Sequence, residues 1–291
     1  MADAHIIDGK ALATKFRQEI ARRVEVLKGQ GRQVRLDAVL VDDGDSAARQ
    51  YADSQQRTCE KLGIEYRLHS LSMDSGCDEI AGRVLLLNTK DECHAIMLHL
   101  PLPDGVDAYE VQRRIDPDKD VEGVNPANIG NVVYGRSSLA PCTALATLRM
   151  IKSTGIKLAG ARCVVVGAGD VVGKPIAVLL MREEATVISC NAETQGIKEL
   201  ARSADVLIAA AGVPELVRGD WVKPGAVVVD VGVNRVVQDD GSTKTVGDVA
   251  FEEVKETAAH LSPVPGGEGP MTVAMLIRNV DAAAEGGVSD L

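Results

Sequence analysis

Aromatic side chains are scarce in this chain, since tryptophan, tyrosine and phenylalanine together make up 2% of its 291 residues. Aliphatic side chains must therefore fill the core, and the scarcity argues against a surface that stacks nucleic-acid bases. The net charge of -10 has the wrong sign for a protein that follows a phosphate backbone, and no run of lysine and arginine offsets it locally. We therefore expect no nucleic-acid partner.

Long apolar runs and paired cysteines are also absent. No stretch reaches about 18 uninterrupted apolar residues, and residues 1–5 do not begin a basic region followed by an apolar segment, so we expect no membrane contact and a cytoplasmic protein. The cysteines form no C-x-x-C pair and the histidines no cluster with ligand spacing, which predicts reduced, buried thiols and no metal site. The cysteines are Cys59, Cys77, Cys93, Cys142, Cys163 and Cys190.

Apolar runs alternate with helical patterns along the chain, which predicts an α/β protein built on parallel sheets. The length allows two domains, and we place their boundary near Pro141. Residues 239–242 lie between Val236-Val237 and Thr245-Val246, which predicts a hairpin. The predicted helices cover about residues 11–28, 46–62, 80–87, 176–181 and 271–284. The predicted strands are residues 36–41, 66–68, 95–98, 164–166, 185–190, 204–209 and 226–232.

The segment 164–175 joins an apolar strand to closely spaced glycines and then to a helical pattern. Such glycines let the backbone approach a pyrophosphate, and the N-terminus of the next helix favours its negative charge. Gly167 and Gly169 keep the usual spacing, but Gly173 comes one residue later than in the common fingerprint. A second strand at residues 185–190 completes a strand–helix–strand unit. We therefore predict a dinucleotide site, with simple turn chemistry as the alternative.

Four further segments carry a resemblance to a known family. They are Tyr51 with the helix down to Gly63, His99–Pro103, Asp116–Gly123 with Pro126 and Asn128, and Pro263–Thr272. Together with Pro141-Cys142-Thr143 and the turn Val172–Pro175, they make the chain similar to the methylenetetrahydrofolate dehydrogenase/cyclohydrolase family over essentially its full length. The resemblance implies an N-terminal α/β folate-binding domain, residues 1–141 with the terminal helix 271–291. It also implies a C-terminal Rossmann-type NAD(P)-binding domain, residues 142–270, and a homodimer.

The family transfers a hydride from the carbon that bridges N5 and N10 of tetrahydrofolate, and bifunctional members then hydrolyse the methenyl cation. The resemblance assigns catalysis to Tyr51, Gln55, His99 and Glu122. It assigns the folate-binding side to Tyr51, Leu100, Pro101, Glu122, Pro265 and Gly266. It assigns cofactor binding to Gly167, Ala168, Gly169, Val171, Val172, Gly173, Asn191, Ala192 and Val233.

Two catalytic positions depart from the family pattern together. Gln55 stands where the family has a lysine, and His99 stands where it has a glutamine. An amide cannot gain or lose a proton near neutral pH, so the cyclohydrolase step is expected to be lost or reduced. Alternatively His99 takes over proton transfer and the enzyme stays bifunctional, or His99 only packs. We favour loss of the cyclohydrolase step.

Other departures concern how the ligands are recognised. Glu122 replaces the family's aspartate that reads the pterin edge, and a solvated loop charge is its alternative. The residues that grip the 2′-phosphate of NADP are missing, while Glu193 adds a negative charge there, so we expect NAD rather than NADP. Glu268 replaces an apolar residue, and we expect it to be a solvated loop side chain. The alternative is that it lines the nicotinamide side, where its carboxylate would favour the oxidised, positively charged ring. A paralogue acting on another pterin and a non-catalytic folate binder remain further hypotheses.

Overall fold

The computed structural model describes residues 3–44, 46–136, 139–238 and 241–286, in which strands and helices alternate. In chain order they are β1 (His5–Ile6), α1 (Gly9–Gly29), β2 (Arg35–Val41), α2 (Ala47–Lys61), β3 (Glu65–Leu71), α3 (Cys77–Asn88), β4 (Ala95–Leu98), α4 (Ala108–Gln112), α5 (Pro126–Tyr134), α6 (Cys142–Ser153), β5 (Arg162–Val166), α7 (Gly173–Arg182), β6 (Thr186–Cys190), α8 (Ile197–Arg202), β7 (Val206–Ala209), β8 (Val227–Asp230), β9 (Asn234–Val237), β10 (Thr243–Val246), α9 (Phe251–Lys255), β11 (His260–Leu261) and α10 (Glu268–Ala284). A short 3-10 helix covers Gly219–Trp221. In the described ranges, the helices are too short or too polar to cross a membrane.

One compact unit contains residues 3–14 and 143–275. Its sheet is parallel throughout, with the strand order β1-β11-β8-β7-β5-β6. Strands β7 and β8 are buried at every residue and rich in branched aliphatic side chains, as expected for a parallel sheet that is covered on both faces. The carboxyl ends of these strands form the edge at which such sheets bind ligands.

The second unit contains residues 15–142 and 276–286. Its parallel sheet has the order β3-β2-β4, and the central strand β2 is buried at every residue. An ion cluster lies inside this buried strand: Asp37 accepts hydrogen bonds from Arg35 at 2.6 Å and from Nε2 of His69 at 2.7 Å. Burial alone would raise the pKa of Asp37, but these bonds hold it below its ordinary value.

The fold agrees with the prediction of an α/β protein with parallel sheets, and the differences occur where elements are short. The two-residue strands β1 and β11 show no periodicity in the sequence, and α4 and α9 have one turn or little more. The predicted hairpin forms from β9 and β10, although Asp239 and Asp240 at its turn lie outside the described residues. All six cysteines are unpaired; Cys77 is half-buried and the others are buried.

Candidate active site

The glycine turn after β5 is closely packed at Gly167 and Gly173 and open at Gly169. At Gly167, whose φ is +113°, a Cβ would lie 2.1 Å from the carbonyl oxygen of Ala210, and at Gly173 it would lie 1.9 Å from that of Gly167. A side chain fits at neither position. Gly169, by contrast, is exposed and has no atom within 4 Å of a Cβ built there. The turn therefore leaves backbone open at the carboxyl end of β5 and at the N-terminus of α7, which suits a pyrophosphate.

The other residues assigned to the cofactor lie around this turn and at the neighbouring strand ends. Val171 is 59% exposed, and Val172 is half-buried just before α7. The loop after β6 is held by a local turn, in which the Asn191 side-chain oxygen accepts the Glu193 N–H at 3.0 Å. Asn191, Ala192 and Glu193 are exposed. This loop presents a carboxylate and no basic side chain at the carboxyl end of β6.

A cavity of about 200 Å³ lies at the carboxyl end of β8. Its wall is formed by residues 230–233, Thr245 and residues 263–270, so that Val233, Pro265 and Gly266 from the predicted site line it. All of these belong to the first unit, although the resemblance placed Pro265 and Gly266 on the folate side. A second cavity of about 340 Å³ has none of the predicted site residues in its wall. It shares Asp230, Thr245, Pro263 and Val264 with the first.

The strand end below the cavity is held by a buried carboxylate. Asp230 accepts the backbone N–H groups of Gly232, Asp248 and Val249, each at 3.0 Å. Burial is the main reason why the pKa of Asp230 is raised to about 7, and Asp248 adds a like charge. Asp248 in turn accepts the N–H groups of Ala211 and Gly212. Sequence reasoning missed Asp248, whose signal is its place directly after a glycine in a Gly-Asp-Val run.

Glu268 is buried, 8% exposed, and is the first residue of α10. The expectation of a solvated loop side chain is therefore wrong. The predicted helix began at about Met271, but α10 already begins at Glu268, and Pro270 is tolerated because it lies in the first turn, where N–H groups have no helical partner. Thr272 donates its hydroxyl to the Glu268 carboxylate. Burial raises the pKa of Glu268 to about 8.

In the second unit, α2 and β4 bring the predicted catalytic residues together. Tyr51 and Gln55 are one helical turn apart on α2, and the rings of Tyr51 and His99 meet edge to face with centroids 5.8 Å apart. Gln55 is buried and donates Nε2 to the sulfur of Met97 at 3.2 Å, while its Oε1 is buried with no hydrogen-bond partner. Met97 and His99 alternate with Leu98 and so share one face of the strand.

His99 is held in its neutral form. Its side chain is buried, and its Nε2 lies 3.3 Å from the hydroxyl oxygen of Tyr66, within hydrogen-bond distance. Burial, with a smaller effect of the Arg49 charge, lowers the pKa of His99 to about 4. Tyr66 was not among the predicted site residues; it lies on β3, and no sequence motif marks it. Next to His99, Leu100 and Pro101 are exposed and joined by a cis peptide bond.

Glu122 lies in the tight loop that follows Asp120. As a residue it is half-buried, but its Oε2 atom is shielded from solvent and has no hydrogen-bond partner. Burial and the neighbouring charge of Asp120 raise the pKa of Glu122 to about 8, although a hydrogen bond with the backbone of Leu98 opposes this. A shielded acceptor without a partner suits a ligand that donates N–H groups. Over the described residues, no cluster of His, Cys, Asp or Glu could hold a metal ion.

Comparisons with known proteins indicate one family. Residues 7–122 match the family model for the tetrahydrofolate dehydrogenase/cyclohydrolase catalytic domain, and residues 141–287 match the model for its NAD(P)-binding domain. The chain is 43% identical over 287 residues to the bifunctional protein FolD of Pelobacter propionicus, covering 99% of this chain and 100% of that protein.

Solved structures give the same result. The bifunctional FolD enzyme from Campylobacter jejuni superposes with a TM-score of 0.91 at 37% identity, covering 97% of this chain and 99% of that chain. The Trypanosoma brucei enzyme, solved with NADP and an inhibitor, gives a TM-score of 0.90 at 33% identity and covers 98% of both chains.

Proposed function

Since the chain belongs to the tetrahydrofolate dehydrogenase/cyclohydrolase family, we propose that it is an NAD-dependent 5,10-methylenetetrahydrofolate dehydrogenase whose cyclohydrolase step is lost or much reduced. The observation that carries the proposal is Gln55, a buried amide at the position where the family has a lysine. The proposal assigns the nicotinamide cofactor to the glycine turn and the cavity at the end of β8. It assigns the folate substrate to Tyr51, His99 and Glu122.

The glycine turn and the cavity at the end of β8 supply binding and orientation for hydride transfer. The cofactor, when bound, accepts the hydride released as a C–H bond of the one-carbon bridge breaks, which leaves the methenyl cation. Gly169 offers open backbone to the pyrophosphate, and Gly167 and Gly173 let the turn close beneath it. Val233 and Gly266 line a cavity that holds a ring in one orientation, which is the main contribution a protein makes to this step.

Hydrolysis of the methenyl cation needs a water to be activated and protons to be moved, and neither nearby side chain suits this task. Gln55 has no titratable proton, and its Nε2 is engaged with Met97. With a pKa of about 4, roughly one His99 in a thousand carries the extra proton at pH 7, far from the matched pKa that proton transfer favours. Both observations support a dehydrogenase that releases its methenyl product.

NAD is favoured over NADP by the loop after β6. Glu193 is exposed there, and residues 191–194 contain no lysine or arginine. A carboxylate can accept a hydrogen bond from a ribose hydroxyl but repels a 2′-phosphate. We expect Glu193→Arg to lower the Km for NADP relative to that for NAD, and unchanged selectivity would contradict this part of the proposal.

An assay at two wavelengths, which follows reduced cofactor and methenyl product separately, tests the cyclohydrolase part. We expect the methenyl product to accumulate with the purified protein and to accumulate less with Gln55→Lys. The alternative is the bifunctional activity named for the relatives. In that case no methenyl product accumulates, and His99→Gln makes it accumulate while reduction of the cofactor continues. No cofactor reduction with either nicotinamide would overturn the proposal as a whole.

The homodimer implied by the resemblance is part of the same proposal. Light scattering coupled to gel filtration should give twice the mass of the chain, and the mass of one chain would contradict it.

A further inference from the structure

A buried acid lies beside the β8 cavity and has no part in the proposed hydride transfer. Glu268 is 8% exposed and belongs to the wall of the cavity. Its carboxylate accepts the hydroxyl of Thr272, whose oxygen lies 3.5 Å from that of Thr143 on α6. The rest of the wall is mostly glycine, proline and valine. Burying a carboxyl group in such surroundings costs stability, so its presence calls for a functional explanation.

The strand order indicates which part of a dinucleotide reaches this cavity. The turn for the pyrophosphate follows β5, and the loop with Asn191 and Glu193, which faces the adenosine ribose in the proposed function, follows β6. On the other side of β5, the order continues through β7 to β8. Neighbouring strands are about 4.8 Å apart, so the end of β8 lies about 10 Å from that of β5. A cofactor that lies across the strand ends therefore brings its nicotinamide ring to the β8 cavity.

The size of the cavity agrees with this placement. About 200 Å³ corresponds to roughly six or seven water volumes, which is room for one six-membered ring with its substituent. We propose that Glu268 is a specificity-determining residue of this cavity, whose carboxylate selects the oxidised, positively charged nicotinamide ring over the reduced, neutral one. The inference rests on the proposed function, because it requires a nicotinamide cofactor.

The groups around the cavity leave the Glu268 carboxylate able to respond to a ligand, because burial alone, and no neighbouring charge, shifts its pKa. From α10 and α6 it meets the uncharged Thr272 and Thr143. From β8 comes Asp230, whose oxygens already accept three backbone N–H groups. From α1, Lys10 brings its Cε to 3.6 Å from a Cβ built on Gly266.

The pH dependence of binding follows from the charge on the ring. Burial raises the pKa of Glu268 to about 8, so near pH 7 the carboxyl group is mostly protonated. A positively charged ring favours the ionised form and binds more tightly as the pH rises through 8. A neutral, apolar ring gains nothing from ionisation and binds equally or less tightly. The ratio of the affinities for NAD⁺ and NADH therefore rises with pH, by about tenfold for one charge pair at partial screening.

Calorimetric titration of NAD⁺ and NADH between pH 6.5 and 9 tests the inference. We expect the affinity ratio to rise about tenfold in the unmodified protein. In Glu268→Gln it should rise much less and only below about pH 8, because Asp230, which lines the same cavity and has a pKa of about 7, still titrates there. Glu193→Gln is the matched control, because it removes the same charge beside the adenosine ribose. In this variant the affinity ratio should rise with pH as it does in the unmodified protein. An equal slope in the unmodified protein and Glu268→Gln would overturn the inference while leaving the proposed function intact.

Two further measurements cover other outcomes. If thermal denaturation shows that Glu268→Gln is unfolded, the inference is tested instead by the protons that the unmodified protein releases when a cofactor binds. Titrations in two buffers with different ionisation enthalpies should then show a proton released near pH 7.5 with NAD⁺ and none with NADH, and equal proton release would contradict the inference. If neither cofactor binds at any pH, the result contradicts the proposed function, on which this inference rests.

Discussion

Folate affinity should increase with pH because of Glu122. Under the proposed function, the N–H donors of the pterin edge would bind the ionised carboxylate of Glu122, whose shielded Oε2 has no hydrogen-bond partner in the protein. With a pKa of about 8, roughly one Glu122 in eleven is ionised at pH 7 and about nine in ten at pH 9. Apparent affinity scales with the fraction of binding-competent protein, so it should improve about tenfold over this range.

The assay is a fluorescence titration with tetrahydrofolate at pH 6 to 9 under anaerobic conditions. Glu122→Gln should bind weakly and without this pH dependence, since its amide carries no titratable proton. Glu122→Asp restores the residue usual in the family and controls for the loss of charge. Flat affinity in the unmodified protein, or tighter binding at low pH, would refute the reasoning, because it would show that the carboxylate does not bind the pterin.

Three further results are expected. Gly173→Ala should lower the melting temperature because its Cβ would lie 1.9 Å from a carbonyl oxygen, whereas Gly169→Ala should keep that temperature and lose cofactor affinity; equal effects on both readouts would contradict the assigned roles. Asp37→Asn should cost about 3–5 kcal/mol in urea denaturation, because it removes the buried charge partner of Arg35 and leaves only the exposed Glu92 at 3.6 Å, and a cost near zero would argue against the cluster. The pKa of Glu268 rises from its ordinary value of 4.5 to about 8 on folding, so its contribution to stability is present below pH 4.5 and lost as pH rises to 8. Glu268→Gln should therefore reduce the loss of unfolding free energy between pH 5 and 8 by about 3 kcal/mol, and an unchanged loss would refute that assignment.

Much of the fold could be predicted because long elements have a clear period. Residues 95–98 are the strand that their apolar run predicts, and the helix over residues 47–61 lies within one residue of its predicted bounds. The strands at residues 5–6 and 260–261 were not predicted, because two residues are too few to show a period. They form through pairing with strands that are distant in sequence.

The candidate site was predictable where a motif carries the chemistry. The glycine turn follows from spacing, and the choice of Tyr51 and His99 as site residues follows from the resemblance; the edge-to-face contact of their rings was not predicted. The burial of Glu268 does not, because a glutamate beside Gly269 and Pro270 is typical of a loop, and its environment is set by packing around the start of α10. The low pKa of His99 depends in the same way on burial, which no local pattern of residues reveals.

Strand β1 has a consequence for the order in which the protein assembles. Ile6 pairs with Leu261, about 255 positions later, so the edge of the six-stranded sheet is completed only after that later segment has left the ribosome. During synthesis, β1 must wait without a partner while the intervening residues emerge and fold. Because this edge closes late, the nascent chain must avoid aggregation until β11 has been made.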